Sequence, residues 1–330
     1  MYLITGCSGF IGFNTALKLL KKKIKVVGVD NMNNYYDKSL KIDRLKILKK
    51  FKLFKFYKTD ISNFNKLKNI FVKNKIKYVL HLAAQAGIRY SLKNPDIYFK
   101  YNVLGFYNII KISSNFKIKH FIFASSSSVY GEQKKFPIKE EFTTDYPIQF
   151  YAATKKSNEV IAYSLSKINK LPCTGLRFFT VYGPWGRPDM AFFKFMKNIL
   201  QNKPINLYNY GNHFRDFSYI DNVVDAVLSS VKKSYSLKIA INKKTKKAPF
   251  TIYNVGNGKS VSLKTCVQTL ESILKIKIKF NKLPLQKGDV IKTFADVSKA
   301  KKDLNLKTGY NLKQGLTNFV NWYHKYYNIR

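Results

Sequence analysis

The sequence predicts an α/β fold in which a doubly wound parallel sheet is followed by a smaller C-terminal lobe. Three observations predict it. Short apolar segments alternate with amphipathic ones through the first half of the chain, a glycine-rich turn joins the first such pair, and the alternation weakens after Arg177. Residues 2–5, 26–30, 54–58, 78–82 and 121–125 read as strands, because each is short, β-branched or aromatic, and bounded by polar or glycine positions. Residues 11–21, 40–50, 66–74 and 103–114 carry helical spacing between them, and a further helix from about 154 to 169 leads into a strand at 174–177. Such alternation places helices on both faces of a parallel sheet. Beyond Arg177, glycine, proline and aromatic residues crowd together, as in Tyr182-Gly183-Pro184-Trp185-Gly186-Arg187-Pro188, which suits a loop-rich lobe on one side of a cleft. The expected division is 1–176 for the sheet domain and 177–330 mainly for the lobe, with some segments returning to the sheet. Residues 243–249 are basic, lack apolar periodicity and read as an exposed loop.

With 330 residues, 45% of them hydrophobic, the chain can bury a substantial core. No apolar run approaches the ~20 residues of a membrane span, so no membrane insertion is expected. The strand pattern begins at Tyr2-Leu3-Ile4, so no targeting segment is expected. Cys7, Cys173 and Cys266 are far apart and odd in number, and neither they nor the four histidines have metal-ligand spacing. A reducing, cytoplasmic setting and no metal follow as expectations. The net charge of +42 invites a nucleic-acid reading. The lysines are spread along the chain, however, together with Asn, Ile, Phe and Tyr, a pattern that base composition explains, whereas a nucleic-acid footprint is a patch or stripe. His81 reads as a packed core residue, and Tyr35-Tyr36 and Tyr326-Tyr327 as packing or surface aromatics.

Gly6-Cys7-Ser8-Gly9-Phe10-Ile11-Gly12 follows the first strand and opens the first helix. Glycines there let backbone amides approach a pyrophosphate, and the helix N-terminus adds partial positive charge. Asp30 ends the second strand, eighteen positions beyond Gly12, where a ribose 2′-hydroxyl needs an acceptor. A carboxylate there favours NAD over NADP. This is the sequence signature of a Rossmann-type nucleotide-binding sheet.

Tyr151 and Lys155 lie four positions apart and share one helix face. A nearby ammonium favours phenolate, so the pair can serve as a general acid/base with a lowered tyrosine pKa. The segment Ser125-Ser126-Ser127-Ser128-Val129-Tyr130-Gly131 follows an apolar strand, and ligands of open parallel sheets sit beyond the carboxyl ends of the strands.

With GxxGxxG, YxxxK and this serine segment, the chain resembles the extended short-chain dehydrogenase/reductase family over nearly its whole length. Within it the chain most resembles UDP-glucuronate 4-epimerases, through Asp30-Asn31-Met32-Asn33-Asn34-Tyr35-Tyr36-Asp37, Ala83-Ala84-Gln85-Ala86-Gly87-Ile88-Arg89-Tyr90-Ser91, the stretch from Leu176 to Met190, and Arg215-Asp216-Phe217-Ser218-Tyr219-Ile220-Asp221. The resemblance implies NAD as cofactor, with Gly6, Gly9, Phe10, Ile11 and Gly12 at the pyrophosphate, Asp30 at the ribose and Asn31 also binding the cofactor. Asp60 and Ile61 are implied at the adenine, Leu82, Ala83, Ala84 and Asn102 along the cofactor, and Phe178 beside the nicotinamide. Tyr151 is implied as acid/base, Lys155 as its partner, and Ser126, with Ser127 a close competitor, as the hydroxyl bonding O4. The implied reaction passes through a 4-keto sugar and inverts C4 of a UDP-hexuronic acid for surface polysaccharide synthesis, in a homodimer built on helices near 103–114 and 154–169.

Arginine usage adds a separate observation. Only six of the 60 basic residues are Arg, yet Arg89, Arg177, Arg187 and Arg215 fall in the matching segments. Arg pairs carboxylate or phosphate through a planar fork that Lys lacks. Arg215 is assigned to the UDP diphosphate, Arg187 to the hexuronate carboxylate, Arg89 to the substrate side and Arg177 to structure. Ser127, Ser128 and Thr180 are also placed on the substrate side. Related 4,6-dehydratases and decarboxylases usually carry acids where Ser127 and Ser128 stand, and elimination needs an acid and a base. UDP-galactose epimerases place Asn at Thr180 and Arg-Pro-Gly-Asp at Gln286-Lys287-Gly288-Asp289. Lys287 also departs from the Pro usual in glucuronate epimerases. A UDP-glucose 4-epimerase is the alternative activity, and a non-catalytic basic nucleic-acid binder on the same scaffold the third reading.

Overall fold

The computed structural model describes residues 1–233 and 248–329, so residues 243–247 of the predicted loop lie outside the described residues. Its first half runs β1 (Tyr2–Thr5), α1 (Phe10–Lys21), β2 (Val26–Asp30), α2 (Lys38–Lys49), β3 (Phe54–Lys58), α3 (Phe64–Lys73) and β4 (Tyr78–His81). Then come α4 (Ile88–Lys93), α5 (Pro95–Tyr98), a π-helical turn (Phe99–Leu104), α6 (Gly105–Asn115), β5 (His120–Ser126), α7 (Phe150–Asn169) and β6 (Cys173–Phe178). The remainder comprises β7 (Thr180–Tyr182), α8 (Ala191–Leu200), β8 (Ile205–Tyr208), β9 (Phe214–Tyr219), α9 (Ile220–Lys232), β10 (Phe250–Val255), β11 (Ser260–Ser262), α10 (Leu263–Leu274), β12 (Phe280–Leu283), α11 (Ser298–Leu304) and α12 (Leu312–Tyr327).

Seven strands form one parallel sheet in the order β10-β6-β5-β4-β1-β2-β3. Neighbouring residues on each strand point to opposite faces. Leu3, Val27, Val79 and Phe121 join a core with Leu67 and Phe71 of α3 and Phe106 and Ile109 of α6. Ile4, Val26, Leu80 and Ile122 join the other core, with Phe13, Ala16 and Leu20 of α1 and Val223, Val224 and Val227 of α9. Because both faces are covered, the strands need continuous rather than alternating apolarity, and every residue of β2 is buried.

Two features differ from the sequence reading. Helix α7 begins at Phe150 rather than near 154, so Tyr151 sits in its first turn. Thr154, of a residue type that favours helix starts, lies inside instead and donates its hydroxyl to the Tyr151 carbonyl at 2.7 Å. Strand β10, which the weakened alternation after Arg177 hides, pairs with β6 along its whole length. The lobe itself holds a three-stranded sheet, β11-β9-β7, and the pair β12-β8. Tyr326 and Tyr327 of α12 pack among Trp185, Trp322 and Phe193.

An ion pair ties α7 to the sheet. Arg177 of β6 donates Nε and Nη2 to the two carboxylate oxygens of Glu159, both at 2.8 Å, with each side chain only 5% exposed. Its Nη1 donates to the Tyr130 hydroxyl and the Glu140 carbonyl, and Ser125 donates to Glu159. Arg177 thus has the structural role expected of it. Removing one partner strands the other charge away from water. Arg177→Met is therefore expected to lower the unfolding free energy by about 3–5 kcal/mol in urea titrations, with part of the loss recovered in Arg177→Met/Glu159→Gln.

Candidate functional site

The strand order reverses between β1 and β4, and a cavity opens there at the carboxyl ends of the strands. The glycine turn forms its floor. Gly6 has φ +71°, and a Cβ on it would come within 2.8 Å of the Ala83 backbone; a Cβ on Gly12 would lie 2.0 Å from the Gly6 carbonyl oxygen. These close approaches let α1 start directly behind the turn. Its first-turn amides have no intrahelical partner, and Gly6, Gly9, Phe10, Ile11 and Gly12 all line the cavity. The cradle fits a pyrophosphate.

Asp30 lines the same cavity, as does Asn31. Its carboxylate accepts from the Ser8 amide at 3.0 Å and the Met32 amide at 2.9 Å, one bond per oxygen. Each oxygen keeps acceptor capacity for a ribose hydroxyl. Two neighbours escaped the sequence reading. Lys41 is buried, with its ammonium on the Asn33 side chain at 2.6 Å. Arg44 is fully buried and donates to the Ser8 carbonyl at 3.0 Å and to the Trp185 and Gly186 carbonyls at 2.6 and 3.0 Å. The scarcity of Arg in a Lys-rich chain was the available signal for Arg44, which lies outside the motif-bearing segments.

Tyr151, Lys155 and Ser126 meet at the other end of the cavity. Burial raises the Tyr151 phenol above its ordinary value, while Arg187 and a hydrogen bond with Ser126 pull it back. The sequence reading had Lys155 lowering this pKa, and the structure corrects that. The Lys155 ammonium lies 6.0 Å from the Tyr151 ring centroid and donates to the Ala124 carbonyl at 2.8 Å. Its own pKa is pushed down to about 8 by burial, with Glu159 acting in the opposite direction. Ser126 is fixed by Ser128, whose amide donates to its hydroxyl at 3.2 Å. His81, fully buried beside Thr5 at 2.8 Å, belongs to the core.

The other candidates divide by location. Ile61, Leu82, Ala83, Ala84, Phe178 and Arg187 line the cavity. Asp60 instead accepts from the Ser62 amide and hydroxyl, both at 2.8 Å. Asn102 turns away from the cavity and grips the Gln85 amide at 2.7 Å and carbonyl at 3.0 Å, and the Thr154 hydroxyl at 3.1 Å, so it ties the 82–86 strap to α7. Ser127 and Ser128 begin a 3₁₀ turn behind Ser126, and Thr180 lines a small apolar cavity beside Phe192 and Phe217. Arg89 pairs with Asp289 at 2.9 Å and covers the Tyr208 ring. Arg215 contacts His213 at 3.0 Å and feels the charges of Asp289 and Arg89. Tyr35 and Tyr36 are cavity-lining residues rather than simple packing aromatics, because the 31–36 segment folds over the end of β2.

A dinucleotide cradle joined to a Tyr–Lys helix in this way defines the extended short-chain dehydrogenase/reductases. The profile of the GDP-mannose 4,6 dehydratase family matches residues 3–319, and the chain belongs to that family. It is 45% identical to Protein CapI of Staphylococcus aureus over 98% of both chains. It is 41% identical to the UDP-glucuronate 4-epimerase of Thermodesulfobacterium geofontis, covering 97% of this chain and 95% of that one. The fold superposes on UDP-glucuronic acid 4-epimerase from Bacillus cereus, solved in complex with UDP-glucuronic acid and NAD, with a TM-score of 0.87 at 31% identity over 99% of each chain.

The depressed Lys155 pKa has a consequence for stability. Between about 8 and the ordinary 10.5 the folded chain binds fewer protons at this site than the unfolded chain. Lys155 therefore adds stability that is complete above 10.5 and lost as pH falls through about 8. Denaturant unfolding from pH 8 to 10 is expected to show wild type gaining on Lys155→Met by up to about 1.4 kcal/mol per pH unit.

Proposed function

We propose that this chain is an NAD-dependent epimerase that interconverts UDP-glucuronate and UDP-galacturonate by inverting C4. One observation carries the reading: the Tyr151 and Ser126 hydroxyls and the Arg187 guanidinium share the cavity that the glycine turn opens. Relatives and solved structures named for this activity support it. Residues 1–176 serve the dinucleotide and 177–330 mainly the UDP-sugar, with α9 and β10 returning to the sheet.

NAD⁺ held on the glycine turn and Asp30 would supply reversible hydride exchange at C4 with no net redox. Ser126 holds O4 by hydrogen bond. Tyr151 takes the O4 proton and gives it back, and the positive charge of a bound NAD⁺ would oppose the effect of burial on its phenol. Lys155, anchored on the Ala124 carbonyl, keeps a positive charge at the same end of the cavity. Arg187 takes the hexuronate carboxylate and holds it against loss of CO₂, to which a β-keto acid is prone. Arg215 takes the diphosphate, with Arg89 nearby on the substrate side.

Although the family profile carries a dehydratase name, elimination of water needs a carboxyl group near the sugar. Among the described residues lining the cavity, Asp30 is the only carboxylate, and it is held at the end of β2 by the Ser8 and Met32 amides. Simple hydride return is the chemistry left to the site.

The enzyme is further assigned to a cytoplasmic homodimer that supplies surface polysaccharide synthesis. The three cysteines are free and buried, which suits a reducing compartment. No described helix is long and apolar enough to cross a membrane. Val160 and Tyr163 of α7 and Leu104 and Tyr107 beside and on α6 expose apolar surface that a second copy would cover.

NMR of the sugar product is expected to show UDP-glucuronate and UDP-galacturonate interconverting without net consumption of NAD⁺; turnover of UDP-glucose in place of that pair rejects the reading. Tyr151→Phe is expected to cut kcat by about 10²–10⁴ while still binding substrate. Light scattering is expected to give twice the monomer mass, reverting to one in Val160→Lys/Tyr163→Lys.

A further inference from the structure

We propose that Asp189, steadied by Tyr35, is the positioning residue that sets the preference for a carboxylate-bearing sugar. It does so by holding Arg187 with its second edge turned to the cavity. The inference rests on the assignment of Arg187 to the hexuronate carboxylate. Arg187 donates Nε to Asp189 Oδ1 at 2.9 Å and Nη2 to Oδ2 at 2.5 Å. This side-on fork uses two of the five guanidinium N–H groups. The end-on edge, formed by Nη1 and the second hydrogen of Nη2, has the spacing to take another carboxylate by a second fork. Nη1 makes no hydrogen bond among the described residues. Arg187 lines the cavity and Asp189 is not among the residues that line it, which suits a fork held behind the guanidinium with the open edge toward the cavity.

Asp189 is itself held. Tyr35 donates its hydroxyl to Oδ2 at 3.2 Å. That hydroxyl sits where a Cβ on Gly87 would lie only 2.1 Å away, so glycine at 87 makes the Tyr35 position available. The Tyr35 ring also packs on Tyr90, with centroids 5.1 Å apart. On the other side, Arg44 grips the carbonyls of Trp185 and Gly186, immediately before Arg187. A long side chain loses rotamer freedom when it binds a ligand. Here that freedom is already lost on folding, and a preorganised fork favours binding of the planar group that matches it.

The opposite effect is that of a competitor: a carboxylate already on Arg187 that the substrate must displace. The two differ in sign. Calorimetric titration of NAD-loaded enzyme with UDP-glucuronate, UDP-glucose and UDP distinguishes them, using wild type, Asp189→Asn, Tyr35→Phe and Arg187→Ala. Asp189→Asn is expected to weaken UDP-glucuronate about 10-fold and to leave UDP-glucose and UDP within about twofold. Tyr35→Phe, which keeps the ring packing and tests the same point if Asp189→Asn does not fold, shifts selectivity in the same direction by less. Unchanged or tighter uronate binding in Asp189→Asn, or an equal loss for all three ligands, overturns the inference. If Arg187→Ala alone loses the uronate preference, the assignment of Arg187 stands while the role of Asp189 falls. If Arg187→Ala keeps it, both fall.

Discussion

The Arg44 guanidinium, with no exposed surface, binds the Ser8 carbonyl of the glycine turn on one side and the Trp185 and Gly186 carbonyls of the lobe on the other. A buried charge of this kind is tolerated only where acceptors surround it. Four acceptors do so here, the fourth being the Tyr36 hydroxyl. The consequence is geometric. The turn that would cradle a pyrophosphate and the segment that carries Arg187 are held in one frame by these bonds. A lysine at 44 could not span three carbonyls on two sides at once.

The same chemistry sets apart the few arginines among the 60 basic residues. Arg44 and Arg177 are buried with both Nη groups hydrogen-bonded, and Arg187 forks onto Asp189. Arg89 and Arg215 flank Asp289 at the side of the lobe. Each place needs directional donors. Most of the positive charge therefore says little about partners, and the little that is geometrically constrained says much about the ligand.

The protonation of Tyr151 and Lys155 follows from burial more than from their pairing. Desolvation acts on both groups, raising the phenol and lowering the ammonium, and so works against charge on either. Ser126 and Arg187 are the groups that oppose it at Tyr151. Arg187 thus has an electrostatic effect on the Tyr151 phenol from across the cavity.

The parallel sheet, the glycine turn and the shared face of Tyr151 and Lys155 were legible in the sequence, because each depends on residues within a few positions of one another. Strand and helix periods, a tight turn and a four-residue spacing are local properties. The return of β10 to the sheet, the Arg44 bridge from residue 8 to residue 185, the Tyr35–Asp189–Arg187 chain and the inward turn of Asn102 were decided only by the tertiary structure. So was the direction of the Tyr151 pKa. These depend on which distant groups come within hydrogen-bonding reach and how much water is excluded around them, and neither quantity exists until the chain has folded.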